Sequence, residues 1–172
     1  MNPRFFCFDL EMNKPSNKII QIGGLVGRLD TGEIMKTFNY YINPHEPLSP
    51  FIIELTSITQ EIVDGGVELD YAAKELENEV HKLKACKSPL VWGNGDLKTI
   101  QAQSGTFKNT HREIDIKTLY QWNQLKSFKT MKGGLGTALQ AMGMQFQGQP
   151  HNALDDAMNT FYLARGLFAI KS

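Results

Sequence analysis

The feature that most constrains this chain is a set of three strand-like segments crowded between Arg4 and Ile42, followed by segments that read as helices. Arg4 to Leu10 gathers Phe5, Phe6, Cys7, Phe8 and Leu10 with no turn former among them, which reads as a buried strand. Ile19 to Arg28 reads as a second strand, in which Gly23-Gly24 marks a bulge or the close approach of another backbone. Asp30-Thr31-Gly32 is a turn, and Ile34 to Ile42 a third strand. Three strands on short turns predict an antiparallel meander. Asn43 to Pro50 carries three prolines and ends the pattern. Short helices are expected around Phe51–Leu55 and Thr59–Asp64, with Thr59 capping the second. A longer helix over Leu69–Lys84 is carried by Leu69, Ala72, Ala73, Leu76, Val80 and Leu83. Pro89–Trp92 and Ile114–Ile116 read as strands. Asp96–Gln103, Thr118–Leu125, Leu135–Met142 and Leu154–Ile170 read as helices. Strands that come first and then alternate with helices predict an α/β domain with a mixed sheet. With 172 residues and no repeat, low-complexity tract or linker, one domain over 1–172 is expected.

Charge and composition narrow the function less than the motifs do. Lysines plus arginines equal aspartates plus glutamates at 18 each, so no basic excess argues for tight, sequence-independent binding of long duplexes. That balance leaves open an enzyme that grips a few nucleotides through metal ions. No apolar stretch approaches the length of a membrane span, and the run after Met1 is short and interrupted by Asp9, unlike a signal peptide. A cytoplasmic protein without a membrane partner is expected. Cys7 and Cys86 form no CxxC and no zinc pattern, and Cys7 among phenylalanines reads as a buried free thiol.

The chemistry lies in carboxylates. Asp9 and Glu11 are one residue apart on a strand, so both face the same side. Two like charges that close repel, and one tends to stay protonated unless a divalent cation removes the conflict. Taken alone, D-x-E is as well explained by a strand that ends at Phe8 with both groups solvated. Asp96 follows a short strand and the loop Trp92-Gly93-Asn94-Gly95, where it reads on its own as a helix N-cap. His151-Asn152-Ala153-Leu154-Asp155-Asp156-Ala157 follows Pro150 at the start of the last helix. Asn152 is a good N-cap, Asp155 completes a cap-like pair, and Asp156 in the first turn suits the helix dipole. His151 alone reads as a loop histidine. Together the three elements say more. Their order is D-x-E, then D, then H-x4-D, each at a strand end or helix start. Four carboxylates balance two magnesium-type ions, and such a pair clamps the attacking and leaving oxygens of phosphodiester hydrolysis. A nearby histidine can take the proton of the attacking water.

At these residues the chain resembles the DEDDh family of 3′→5′ exonucleases. Its motifs are Phe8-Asp9-Leu10-Glu11, Asn94-Gly95-Asp96-Leu97-Lys98 and His151 through Ala157, and the resemblance runs from about Phe5 to Phe168. Leu48 to Phe51, Leu55 to Asp64 and Met142 to His151 are similar to the branch that holds the histone-mRNA and small-RNA 3′ exoribonucleases. That branch also holds bacterial proteins described as inhibitors of a sporulation kinase pathway. The resemblance implies an RNase H-like fold, a central mixed β-sheet flanked by α-helices. It implies two divalent ions, Mg2+ or Mn2+, on Asp9, Glu11, Asp96 and Asp156, with His151 as general base. It also implies that Met12, Leu55 and Thr56 meet the terminal nucleotide of a single-stranded RNA 3′ end. One position departs from the branch: Gly95 stands where a bulky residue usually precedes the motif-two aspartate.

Other features carry less. Trp92, at the end of a buried strand, reads as core. Lys126, Lys129 and Lys132 read first as a solvated loop and second as a phosphate track. Gly133-Gly134-Leu135-Gly136 lacks the Walker Lys-Ser/Thr and reads as a helix start, and His45, His81 and His111 have no partner at metal spacing. Two alternatives stay open: a DNA 3′→5′ exonuclease of proofreading or repair type, which needs the same site, and a non-catalytic nucleic-acid-binding regulatory module. Matched RNA and DNA oligomers separate the first, and RNA binding without turnover marks the second. The sequence leaves the oligomeric state, monomer or homodimer, open.

Overall fold

The computed structural model describes residues 3–109, 111–125 and 133–168. Its sheet is mixed and five-stranded. β1 (Phe5–Met12), β2 (Ile19–Gly27) and β3 (Ile34–Tyr41) form the expected antiparallel meander. β4 (Cys86–Val91) then pairs parallel with β1, and β5 (Ile114–Asp115) parallel with β4, giving the order β3-β2-β1-β4-β5. Between and after these strands come α1 (Pro50–Thr56), α2 (Gln60–Asp64), α3 (Leu69–Lys82), α4 (Asp96–Gln103), α5 (Ile116–Leu125), α6 (Leu135–Ala141) and α7 (Ala153–Leu167). None of the described helices is long and apolar enough to cross a membrane.

The apolar crowding of β1 has a simple cause: both faces of the sheet are covered. Phe6, Phe8 and Leu10 point to one face, where they pack with Ala72, Leu76 and Val80 of α3 and with Ile100 of α4. Cys7 points to the other face and packs with Leu25, Ile116, Tyr120, Phe161 and Ala164, beneath α5 and α7. Alternation along the strand therefore sends Asp9 and Glu11 to the Cys7 side, toward α7. All nine residues of β2 are buried between these layers.

Element ends differ from the sequence reading where local hydrogen bonding decides. β4 begins at Cys86, before the expected Pro89. Phe5 pairs with Cys86 but Cys7 with Leu90, an irregular register around a proline that cannot donate to the ladder. Ile116 belongs to α5 rather than to β5. The Asp115 carboxylate accepts the N–H groups of Lys117 and Thr118 and the Thr118 hydroxyl, which starts the helix there. Thr59 caps α2 as expected, and Gly134 is the N-cap of α6. Cys7 is fully buried and free, with its S–H donated to Ala157 O, and Trp92 packs in the second core layer. Lys126, Lys129 and Lys132, and the end of the helix expected to reach Ile170, lie outside the described residues.

Candidate active site

The C-terminal ends of the parallel strands β1 and β4 and the N-terminus of α7 meet at one place. Asp9 and Glu11 sit on β1 opposite Gly23 and Gln21 of β2. The approach of α7 is set by Gly23. A Cβ there would lie 2.0 Å from Leu154 N and 2.2 Å from Ala153 C, so only glycine lets the helix start rest on the sheet beside Asp9. The Gly23-Gly24 signal thus marks a close approach. The irregularity between β1 and β2 lies instead at Glu11/Met12. Buried Gln21 adds a directional link: its carbonyl oxygen accepts the Ala153 N–H at 3.0 Å, and its NH2 group donates to Asn39 and to Asn152.

Around the start of α7 the two acidic residues have different tasks. Asn152 caps the helix, accepting the N–H groups of Leu154 and Asp155. Asp155 turns back to accept the Gln149 N–H at 2.8 Å, so its structural role is to hold the preceding loop. Asp156 accepts the His151 N–H at 3.1 Å, which fixes a loop residue held at φ 63°. Ligand atoms of Glu11, His151 and Asp156 lie within 4.8 Å of one another.

Asp96 reaches the cluster from α4 and is not the cap of that helix. The N-cap is Gly95, at φ 121°, and no side chain of the loop caps the helix. The caps come from β5 and the residue before it. Glu113 accepts the N–H groups of Gly95 at 2.6 Å and Leu97 at 3.0 Å, and Asp115 accepts that of Gly93 at 3.0 Å. A Cβ on Gly95 would meet nothing within 4 Å, so the departure at this position leaves open space, and the backbone conformation is one that glycine adopts without strain.

The carboxyl groups feel one another. Asp9 is pushed well above the usual carboxylate range by burial first, then by the charges of Asp96, Asp156 and Glu11. Burial, then Asp156 and Asp96, push Glu11 up to about 7. Asp96 rises to about 7 through burial, then Glu113 and Asp115. Asp156 rises to about 6 through burial, while the N–H and the charge of His151 pull it down. The structure thus brings Asp9, Glu11, Asp96, Asp156 and His151 into one electrostatically coupled group. A set of crowded carboxylate oxygens with one imidazole suits a hard divalent cation, which would relieve the repulsion.

Of the residues expected to meet a terminal nucleotide, Met12 and Leu55 are half-buried. Thr56 is 2% exposed; its hydroxyl donates to Ile52 O and accepts the Ile58 N–H, so its side chain closes the end of α1. Asn13 holds the end of β1 to the start of α1 by accepting the Ser49 N–H and donating to Glu46 and Pro47 O. Gln149 joins the loop before α7 to the end of α1, donating to Ser57 Oγ at 2.9 Å and to Thr56 O at 3.4 Å. Sequence reasoning missed Gln21, Gln149, Glu113 and Asp115. Only the last two left a signal: Glu113-x-Asp115 repeats the alternate spacing of Asp9-x-Glu11.

Comparison with known proteins gives the family and the fold. The family model described as Exonuclease (RNase_T) matches residues 6–164. The chain belongs to the exonuclease family. Among curated members of the family, ERI1 exoribonuclease 2 of Mus musculus is 30% identical over 188 residues, which covers 92% of this chain and 26% of the mouse protein. The 3′-5′ exonuclease Snipper of Drosophila melanogaster is 29% identical over 167 residues, covering 83% of this chain and 58% of Snipper. This exonuclease chain thus spans about a quarter of the mouse relative's length. A solved 3′-exonuclease, described for its 3′-end specific recognition of histone mRNA stem-loop, superposes with a TM-score of 0.80 at 27% identity. That match covers 95% of this chain and 63% of the other. The fold is the RNase H-like exonuclease fold that the motifs implied.

Proposed function

We propose that this chain is a metal-dependent 3′→5′ exonuclease that removes nucleotides from single-stranded RNA and releases nucleoside 5′-monophosphates. The observation that carries the reading is the convergence of Asp9, Glu11, Asp96 and Asp156 in partly dry surroundings, with His151 at its rim. Asp9, Glu11, Asp96 and Asp156 would hold two divalent ions, Mg2+ or Mn2+. When bound, the ions supply electrostatic stabilisation of the attacking and leaving oxygens. His151 is exposed, and its backbone is pinned by Asp156. Its ring would accept the proton of a water that attacks the terminal phosphodiester. The bond to the 3′-oxygen of the penultimate nucleotide breaks, leaving a shortened strand with a 3′-hydroxyl.

Met12 and Leu55 would supply apolar contact to the terminal nucleotide, with Thr56 fixing the end of α1 on which Leu55 sits. RNA is the leading substrate because the 30% identical mouse relative is named an exoribonuclease. The test is a ladder of 5′-labelled single-stranded RNA and DNA of matched sequence, with and without Mg2+ or Mn2+. The expected result is stepwise shortening of RNA from the 3′ end, faster than DNA, dependent on metal and lost in Asp9→Asn. Intact RNA and DNA under all conditions would reject an exonuclease, and faster loss of DNA would replace the substrate.

A further inference from the structure

Glu113 lies outside all three motifs, next to the edge strand β5, yet both of its carboxylate oxygens are directed at the motif-two loop. Oε1 accepts the Gly95 N–H at 2.6 Å and Oε2 the Leu97 N–H at 3.0 Å, so the two bonds flank Asp96. We infer that Glu113 is a positioning residue: it caps α4 from the start of the neighbouring strand β5 so that the Asp96 carboxylate stays turned into the acidic cluster rather than onto its own helix. This rests on the reading of the cluster as the metal site of a nuclease.

A helix N-terminus has needs of its own. Its first N–H groups have no partner within the helix, and an aspartate in that neighbourhood readily folds back to accept them. Asp96 is the first residue of α4, and the loop before it, Gly93-Asn94-Gly95, provides no side-chain cap. Left to itself, such a loop would compete for the Asp96 carboxylate. Glu113 removes the competition by accepting two of these donors itself, and Asp115 takes the Gly93 N–H two residues further out.

The chemistry of position 113 is specific. Two N–H donors need two acceptor oxygens on one planar group. A carboxylate has both, whereas a glutamine has one oxygen and would turn its NH2 toward the other donor. The negative charge suits the N-terminus of α4, while it is electrostatically unfavourable beside Asp96. A divalent cation held by Asp96 would offset that repulsion, and Glu113 fixes the backbone on both sides of this ligand, which orients it.

The test uses the full chain with Glu113→Ala and Glu113→Gln, measured by Mn2+ titration calorimetry, by RNA hydrolysis against metal and RNA concentration, and by melting in chelator. Glu113→Ala is expected to weaken Mn2+ binding and to raise the half-activating Mn2+ concentration by about tenfold or more, the scale of lost outer-shell partners. The KM for RNA should move less than about twofold in the same variant, an effect confined to metal placement. Glu113→Gln, which keeps one acceptor, should fall between Glu113→Ala and wild type. A lower melting temperature in chelator with unchanged Mn2+ affinity would mean an ordinary helix cap and would overturn the inference. Should Glu113→Ala fail to fold, wild-type Mn2+ affinity in Glu113→Gln overturns it equally. A wild-type chain that neither binds Mn2+ nor shortens RNA defeats the nuclease reading itself. An active wild type with an indifferent Glu113 defeats only the positioning role.

Discussion

Replacing Glu11 with glutamine should stabilise the metal-free protein at neutral pH and destabilise it relative to wild type when metal is present. Burial and the charges of Asp156 and Asp96 move the Glu11 carboxyl from 4.5 to about 7. Among the described residues no hydrogen-bond donor meets this carboxylate. The sign follows from proton linkage. Between pH 4.5 and about 7 the folded chain holds a proton at Glu11 that the unfolded chain has lost, so stability falls as pH rises through that window. At about 1.4 kcal/mol per pH unit the full cost above pH 7 is about 3 kcal/mol. For a chain of this length 1 kcal/mol corresponds to roughly 2–4 °C in melting temperature. Glu11→Gln should therefore melt several degrees above wild type at pH 8 in chelator and together with it near pH 4. Saturating Mn2+ should invert the order at pH 8, because wild type gains roughly 2.7 kcal/mol at a hundred times the dissociation constant and the variant gains less. A variant that melts below wild type in chelator at pH 8 would show that the Glu11 charge does not destabilise the metal-free fold.

His151→Ala should lower kcat on RNA by about 10²–10⁴-fold, the usual worth of a general base, while the Mn2+-induced melting shift changes little. A rate within threefold of wild type would remove His151 from the chemistry. Gly23→Ala should cost about 1–3 kcal/mol or more in urea unfolding, because its Cβ would lie 2.0 Å from the backbone nitrogen of Leu154 and must push α7 off β2. Unchanged stability there would show that α7 does not rest on β2 at this point. Millimolar Mg2+ or Mn2+ should raise the melting temperature of wild type and leave Asp9→Asn nearly unmoved, which differential scanning fluorimetry reads directly.

Much of this architecture was legible in the sequence because periodicity reports burial. The Phe5–Leu10 run, the two strands after it and the Leu69–Lys84 spacing each describe a face that must be covered, and each became the expected element. The site was legible for a different reason: carboxylates at an apolar strand end or a helix start are costly enough that their joint occurrence needs an explanation. Singly they misled. Asp96 looked like a helix cap, yet α4 is capped by Glu113 from beside β5, and no local pattern reports a partner 18 residues away. Asp155 looked like half of a capping pair and instead holds the Gln149 N–H. Gly23-Gly24 announced a close approach without naming what approached, since that depends on where α7 returns to the sheet.

Asp9, Glu11, Asp96 and Asp156 are proposed to hold two catalytic divalent ions together. Anomalous diffraction from crystals grown with Mn2+ and a nucleoside 5′-monophosphate tests it most directly. Two peaks among these four carboxylates, with the nucleotide phosphate beside them and the His151 ring facing it, is the predicted result. An absence of Mn2+ at this cluster, with the ions bound elsewhere, would contradict the account.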